Sequence, residues 1–145
     1  MRFFIILLIF CSNNLVFGQY KTNLDFLSIL SLVESNNKDL AVGDKGKSIG
    51  RFQIHRKCFI DAAKINKRIN FSYESLTNKN NSEIVVVTYL SHYERTAWKN
   101  NDWEKLAKAW NAGPNWRNKK GQSKINLQNY WDRFKIYVDK RKSMS

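Results

Sequence analysis

A mainly α chain is what this sequence implies: one domain of five or six helices, with a small loop or β excursion after the first of them. Three features carry that reading. Apolar residues recur at helical rather than alternating spacing along most of the chain. Asparagine and glycine interrupt these runs, and Pro114 is the only proline. Between Ala41 and Ile54 the helical pattern lapses into a charged stretch holding Gly43, Gly46 and Gly50.

The first segment stands outside that fold. Arg2 precedes an apolar run from Phe3 to Phe10, and Val16-Phe17-Gly18 puts permissive residues where a signal peptidase reads. Residues 1–18 therefore read as a secretory signal peptide cleaved after Gly18, leaving residues 19–145 as an exported domain, periplasmic or secreted. An uncleaved anchor is the alternative, although the apolar run falls short of the roughly 20 residues of a membrane span.

Leu24, Leu27 and Leu30, with Ile29 and Val33 beside them, predict a helix from about Asn23 to Glu34, and Thr22 with Asp25 offers it a capping box. Asn36 and Asn37 break it. "DLAVGDKGKSIG" is then a loop or short hairpin, and Gln53 to Ile65 a second, shorter helix. "TNKNNS" is a loop whose Ser82 can cap the helix after it. Ile84 to Val87 looks like a strand in isolation, but Val86, Leu90, Tyr93 and Ala97 keep helical spacing, and the longer signal decides. Trp103, Leu106, Ala107 and Trp110 mark a further helix, stopped by Gly113 and Pro114. After a basic loop, Leu127, Tyr130, Trp131, Phe134, Tyr137 and Val138 line the last helix.

A domain of this length can bury a real core without covalent staples. Of the two cysteines only Cys58 lies beyond the leader, so the domain has no internal disulfide and its stability comes from packing. Cys58 sits in an apolar stretch and reads as a small buried hydrophobe, the alternative being a reactive thiol. The formal net charge is +13, which favours polyanionic partners: nucleic acid, anionic membrane or an acidic cell-envelope polymer. Export makes nucleic acid the least fitting of these, and a plainly solvated lysine surface accounts for the charge as well. His55 and His92 are the only imidazoles and form no zinc motif, so neither metal nor cofactor is expected.

Four motifs stand in order: Glu34-Ser35 at the end of the first helix, Gly43-Asp44-Lys45-Gly46, Gly50-Arg51-Phe52-Gln53-Ile54, and Ala109-Trp110-Asn111-Ala112-Gly113-Pro114. Any one is weak, but in this order inside one helical domain they resemble the lysozyme-like superfamily. The chain is most similar to the soluble lytic transglycosylases, with a second likeness to goose-type lysozymes. The resemblance spans roughly Asp25 to Val138. It implies an enzyme that cuts the β-1,4 bonds of peptidoglycan glycan strands and uses Glu34 as acid/base; the chain is expected to be a monomer. The physics agrees: the departing oxygen needs a proton, and an acid partly buried at the partially negative end of a helix holds its proton to higher pH.

Ordinary glycosidases add a second carboxylate. In lytic transglycosylases the C6 hydroxyl of muramic acid attacks instead and gives a 1,6-anhydro product, its intramolecular position supplying a high effective concentration. That outcome is the favoured one. Asp44 matches the water-placing acid of goose-type lysozymes, which keeps hydrolysis open, and it is equally a plain turn residue. A further acid of that family is His55 here, and the serine of classical transglycosylases, nine residues after the glutamate, is Gly43. By resemblance Gln53 holds substrate or backbone, Asn111 and Trp110 form a cleft wall, and Tyr130 hydrogen-bonds the acid. Gly50 permits close backbone approach. Arg51 faces either solvent or an anionic group of the substrate. Trp110 and Trp116 are the tryptophans expected to face the cleft, with core packing as the alternative for each. Two rivals remain: a cysteine peptidase using Cys58 and His92, and a non-catalytic basic wall-binding or antimicrobial protein.

Overall fold

The computed structural model describes residues 23–144. The expected leader, its cleavage site and Thr22 of the expected capping box lie outside the described residues. Among the described residues, six α-helices and a small antiparallel sheet make up the fold. Helix α1 covers residues 23–35. Strands β1 (Val42–Gly43), β2 (Ser48–Ile49) and β3 (Ile54–His55) come next, in the order β1-β2-β3, with Val42 opposite Ile49 and Ile49 opposite Ile54. Then come α2 (Arg56–Ile65), α3 (Lys79–Tyr93), α4 (Arg95–Lys99), α5 (Trp103–Ala112) and α6 (Gly121–Lys142).

Helix α3 lies at the centre, packed against α2, α4, α5 and the 3-10 turn Tyr73–Thr77, with Val85, Val86, Tyr89 and Leu90 buried. Because neighbours cover several of its faces, its apolar residues run on consecutively. That is why Ile84 to Val87 mimics a strand. Helix α6 runs antiparallel to α1: Asp25 is ion-paired with Arg141, Phe26 meets Phe134 at 5.6 Å between ring centroids, and Glu34 meets Tyr130. Asp25 is thereby engaged with α6. Leu27, Ile29 and Leu30 are buried as the helical stripe predicts, whereas Leu24 is exposed.

Three boundaries differ from expectation. Helix α2 begins at Arg56, not Gln53, because Gln53 takes a left-handed φ of 51° and Ile54 and His55 enter β3. Helix α3 begins at Lys79 and its cap is Asn78, whose side chain accepts from the Asn80 and Asn81 amides, so Ser82 lies inside the helix, fully buried. The helix expected by periodicity from Val86 to Ala97 breaks at Glu94, which leaves helical geometry (φ −122°, ψ 45°) and separates α3 from α4. Helix α5 ends where expected, at Gly113 with φ 82°.

Candidate active site

Glu34 sits one residue from the end of α1, and the local sequence sets its surroundings. Asn36 and Asn37 both adopt left-handed backbone, φ 55° and 62°, which asparagine tolerates better than most residues. Their amides donate back to the Leu32 and Ser31 carbonyls at 3.0 and 3.1 Å and close the helix. The chain then turns through the sheet and returns. Ser35 Oγ donates to the Arg51 carbonyl at 2.8 Å and ties the returning loop to the helix end. Phe52 and Ile54 of that loop are buried in the core.

Two glycines make the return possible. Gly50 has φ 77°, and a Cβ there would lie 2.4 Å from the Leu76 carbonyl oxygen, so both backbone and space require glycine. At Gly43 only space matters: a Cβ would lie 1.9 Å from Gln53 Oε1 and 2.9 Å from Ser48 Oγ. Gln53 accepts from Ser48 Oγ at 2.8 Å and donates through Nε2 to the Gly50 carbonyl at 2.9 Å. Its carboxamide therefore occupies the place that a serine would take at position 43.

The result is a cleft of ≈ 640 Å³ lined by Glu34, Asp44, Gln53, Trp110 and Asn111 among others. Five of the six residues singled out in the sequence thus meet around one cavity. The sixth, Tyr130, is buried behind it at 4 % exposure and donates its hydroxyl to Glu34 Oε1 at 2.6 Å, so it touches the acid and not the cleft. Burial pushes the Glu34 carboxyl up to about 7, against the opposing pull of the Tyr130 hydrogen bond and the Arg133 charge, and Asp44 pushes it slightly further. Asp44 is itself engaged, its Oδ2 lying 2.8 Å from His55 Nε2, and both side chains are exposed. Trp110 is half-buried and meets Tyr89 edge-on at 6.1 Å. Asn111 is exposed at the end of α5.

Other expectations are corrected. Arg51 faces neither solvent nor the cleft: its Nε pairs with Asp39 Oδ1 at 2.6 Å and its side chain is 15 % exposed. Trp116 does not line the cleft; its indole N–H donates to Glu94 Oε1 at 2.8 Å. Cys58 is half-buried in the cleft lining, and burial, followed by the charge of Asp61, pushes its thiol up to about 12, which disfavours a thiolate nucleophile. His92 is exposed, stacks edge-on against Tyr93, and does not line the cleft. Among the described residues, no group of three or more His, Cys, Asp or Glu could hold a metal ion.

Sequence reasoning missed Tyr89, Lys57, Asp61 and Lys119 in the lining. It also missed Glu94, which is 5 % exposed and receives Arg117 Nη1 at 2.6 Å and Nη2 at 2.8 Å. Burial pushes the Glu94 carboxyl up, but the hydrogen bonds from Arg117 and Trp116 outweigh it and hold it below its ordinary value. In the sequence Glu94 looks like any helical surface acid, and its partners lie more than twenty residues away.

Comparison with known proteins adds one finding: the model of the transglycosylase SLT domain matches residues 17–131. The chain belongs to the transglycosylase SLT family. The match covers most of the chain, places this SLT domain in the lysozyme-like superfamily, and names the SLT domain, not the goose-type lysozymes. Members of the family are lytic transglycosylases acting on peptidoglycan glycan strands, and this chain is an enzyme of that peptidoglycan-cleaving family. No curated protein and no solved structure matches the chain.

Proposed function

We propose that this enzyme cleaves the β-1,4 bond between N-acetylmuramic acid and N-acetylglucosamine with Glu34 as its acid/base, leaving 1,6-anhydromuramyl ends. The observation that carries the reading is a carboxyl group with its pKa near 7, placed in a groove of sugar-binding size and held by Tyr130. Protonated Glu34 gives its proton to the bridging oxygen as the C1–O bond breaks and positive charge develops at C1. The muramic C6 hydroxyl attacks C1 and closes the anhydro ring. The Glu34 carboxylate takes that hydroxyl's proton, so the acid is restored without an outside water. Trp110 offers an aromatic face and Asn111 an amide to the sugars; Gln53 works mainly on its own loop.

Asp44 supports the alternative, hydrolysis, because it lines the same cleft, and its engagement with His55 weighs against a free second carboxylate. Mass spectrometry of digested peptidoglycan separates the two: an anhydromuramyl end is lighter by one water than a reducing end. Folded Glu34→Gln is expected to lose at least about a hundredfold in cleavage rate, and a variant as active as wild type would refute the assignment. Cys58→Ala is expected to keep cleaving, which separates this reading from the peptidase. Sugar-independent killing that survives Glu34→Gln would instead support the wall-binding or antimicrobial protein. The enzyme is further proposed to be an exported monomer released by cleavage after Gly18, with Gln19 as the first residue found by N-terminal sequencing.

A further inference from the structure

The cleft carries cations for which the proton chemistry has no use. Lys57 on α2 and Lys119 beyond α5 both line it, and neither ammonium forms an ion pair within the described residues. Lys119 also lines a second depression of ≈ 690 Å³, shared with Arg117, Asn118, Lys120, Gly121 and Lys124. The sugar groove therefore opens directly onto a cationic surface, and Lys119 stands where the two meet.

This surface is held in place. Glu94, buried where α3 gives way to α4, grips the Arg117 guanidinium with both carboxylate oxygens and the Trp116 indole N–H with one. The guanidinium lies 4.4 Å over the Trp116 ring. Charge-assisted bidentate pairing of this kind fixes geometry as well as attraction. Arg117 is spent on the clasp, whereas Lys119, Lys120 and Lys124 are left unpaired among the described residues.

We propose that Lys119, Lys120 and Lys124, presented by the Glu94–Arg117–Trp116 clasp, bind the carboxylates of the peptide stems carried by the glycan strand, so that the enzyme selects stem-bearing over stem-free strands. The proposal rests on the reading of the cleft as a glycan groove. Lys119 decides between anions: it lies inside that groove, so the anion it meets hangs from the strand bound there. A separate phosphate-bearing wall polymer would reach the outer lysines without entering the cleft. Arg51, the cation the sequence offered for such a role, lies outside the cleft and is neutralised by Asp39. Lysine suits the task because its compact charge on a flexible stem follows carboxylates at varied positions along a peptide.

The test compares kcat/KM of the full chain on glycan strands with stems intact and on strands stripped by an amidase. Wild type is expected to favour stem-bearing strands at low salt and to lose that preference as salt shortens the screening length. The triple variant K119Q/K120Q/K124Q is expected to reduce the preference roughly fivefold to tenfold, the combined effect of several exposed charge pairs. Glu94→Gln, a change at a positioning residue, is expected to raise KM for stem-bearing strands and leave the pH profile where it was, a split that a general loss of fold would not give. Sedimentation of Glu34→Gln with both preparations reads binding without turnover. A wild type indifferent to stems, or a folded triple variant with the wild-type preference, overturns the proposal. So does a loss seen only on sacculi that retain phosphate-bearing polymer, which would make that polymer the occupant. Equal cleavage of both strand types would leave the glycosidase reading intact, whereas absence of anhydromuramyl ends would count against that reading alone.

Discussion

Glu34 and Tyr130 form the smallest unit of the proposed site. The phenol donates to the acid from a buried position, and that hydrogen bond favours the ionised carboxylate, so it holds the Glu34 pKa lower than burial alone would set it. Removing the hydroxyl removes that restraint. In Tyr130→Phe the basic limb of the pH–rate profile is therefore expected to move above about 7, the wild-type position. The rate at the optimum is expected to fall on the order of tenfold, because the carboxyl loses the contact that orients it. A pH–rate profile of the two proteins checks both parts. A limb moving to lower pH would contradict the cause assigned to the shift. The place of Glu34 at the end of the first helix was legible in the sequence; its environment was legible only in outline.

At the scale of elements, the returning loop between β2 and α2 depends on a packing detail at Gly43. Its φ of −123° suits any residue, so the obstacles to a side chain are the Gln53 carboxamide and, less closely, the Ser48 hydroxyl. Gly43→Ala is expected to cost about 1–3 kcal/mol by overpacking. In combination with Gln53→Ala the two costs should fall well short of adding, because the second change removes the nearer of the two obstructing groups. Thermal melts of the double-mutant cycle measure this. The elements also show where sequence reading succeeds. The helical period of Val86, Leu90, Tyr93 and Ala97 outweighed the strand-like run because it extended well beyond it, and the observed helix Lys79–Tyr93 contains that run. It failed at Glu94, which leaves helical geometry while its side chain is held by Arg117, a residue the local pattern does not include. It also chose Ser82 over Asn78 as a cap, since both residue types cap helices and only the observed hydrogen bonds tell them apart.

Across the whole molecule, carboxylates shifted in opposite directions predict a stability maximum on the acid side of neutrality. Glu94, Asp39 and Asp102 are held below their ordinary values, so their contribution is present at neutral pH and is lost as pH falls below the ordinary carboxylate range. Glu34 works the other way. From 4.5, its ordinary value, to about 7 the folded chain retains a proton that the unfolded chain releases, so stability falls as pH rises through that window and then levels off. The loss is at most about 3 kcal/mol. Melting temperature is expected to peak near pH ~5 and decline toward pH ~8, and Glu34→Gln should abolish the decline while abolishing cleavage. An identical decline in the variant would remove Glu34 as its source.

The one-dimensional pattern was sufficient for the helical architecture, for the stretch between Ala41 and Ile54 that becomes the sheet, and for the position of Glu34 at a helix end, because periodicity and turn chemistry are local properties of neighbouring residues. Which polar groups face the cleft was decided in three dimensions. Arg51 went to Asp39, Trp116 to Glu94 and Gln53 to its own loop, each through a hydrogen bond whose rivals the sequence could not rank. The same holds for the proton on Glu34. Its retention depends on lost water and on a hydroxyl 96 residues along the chain, and desolvation exists only once distant segments have closed over the group.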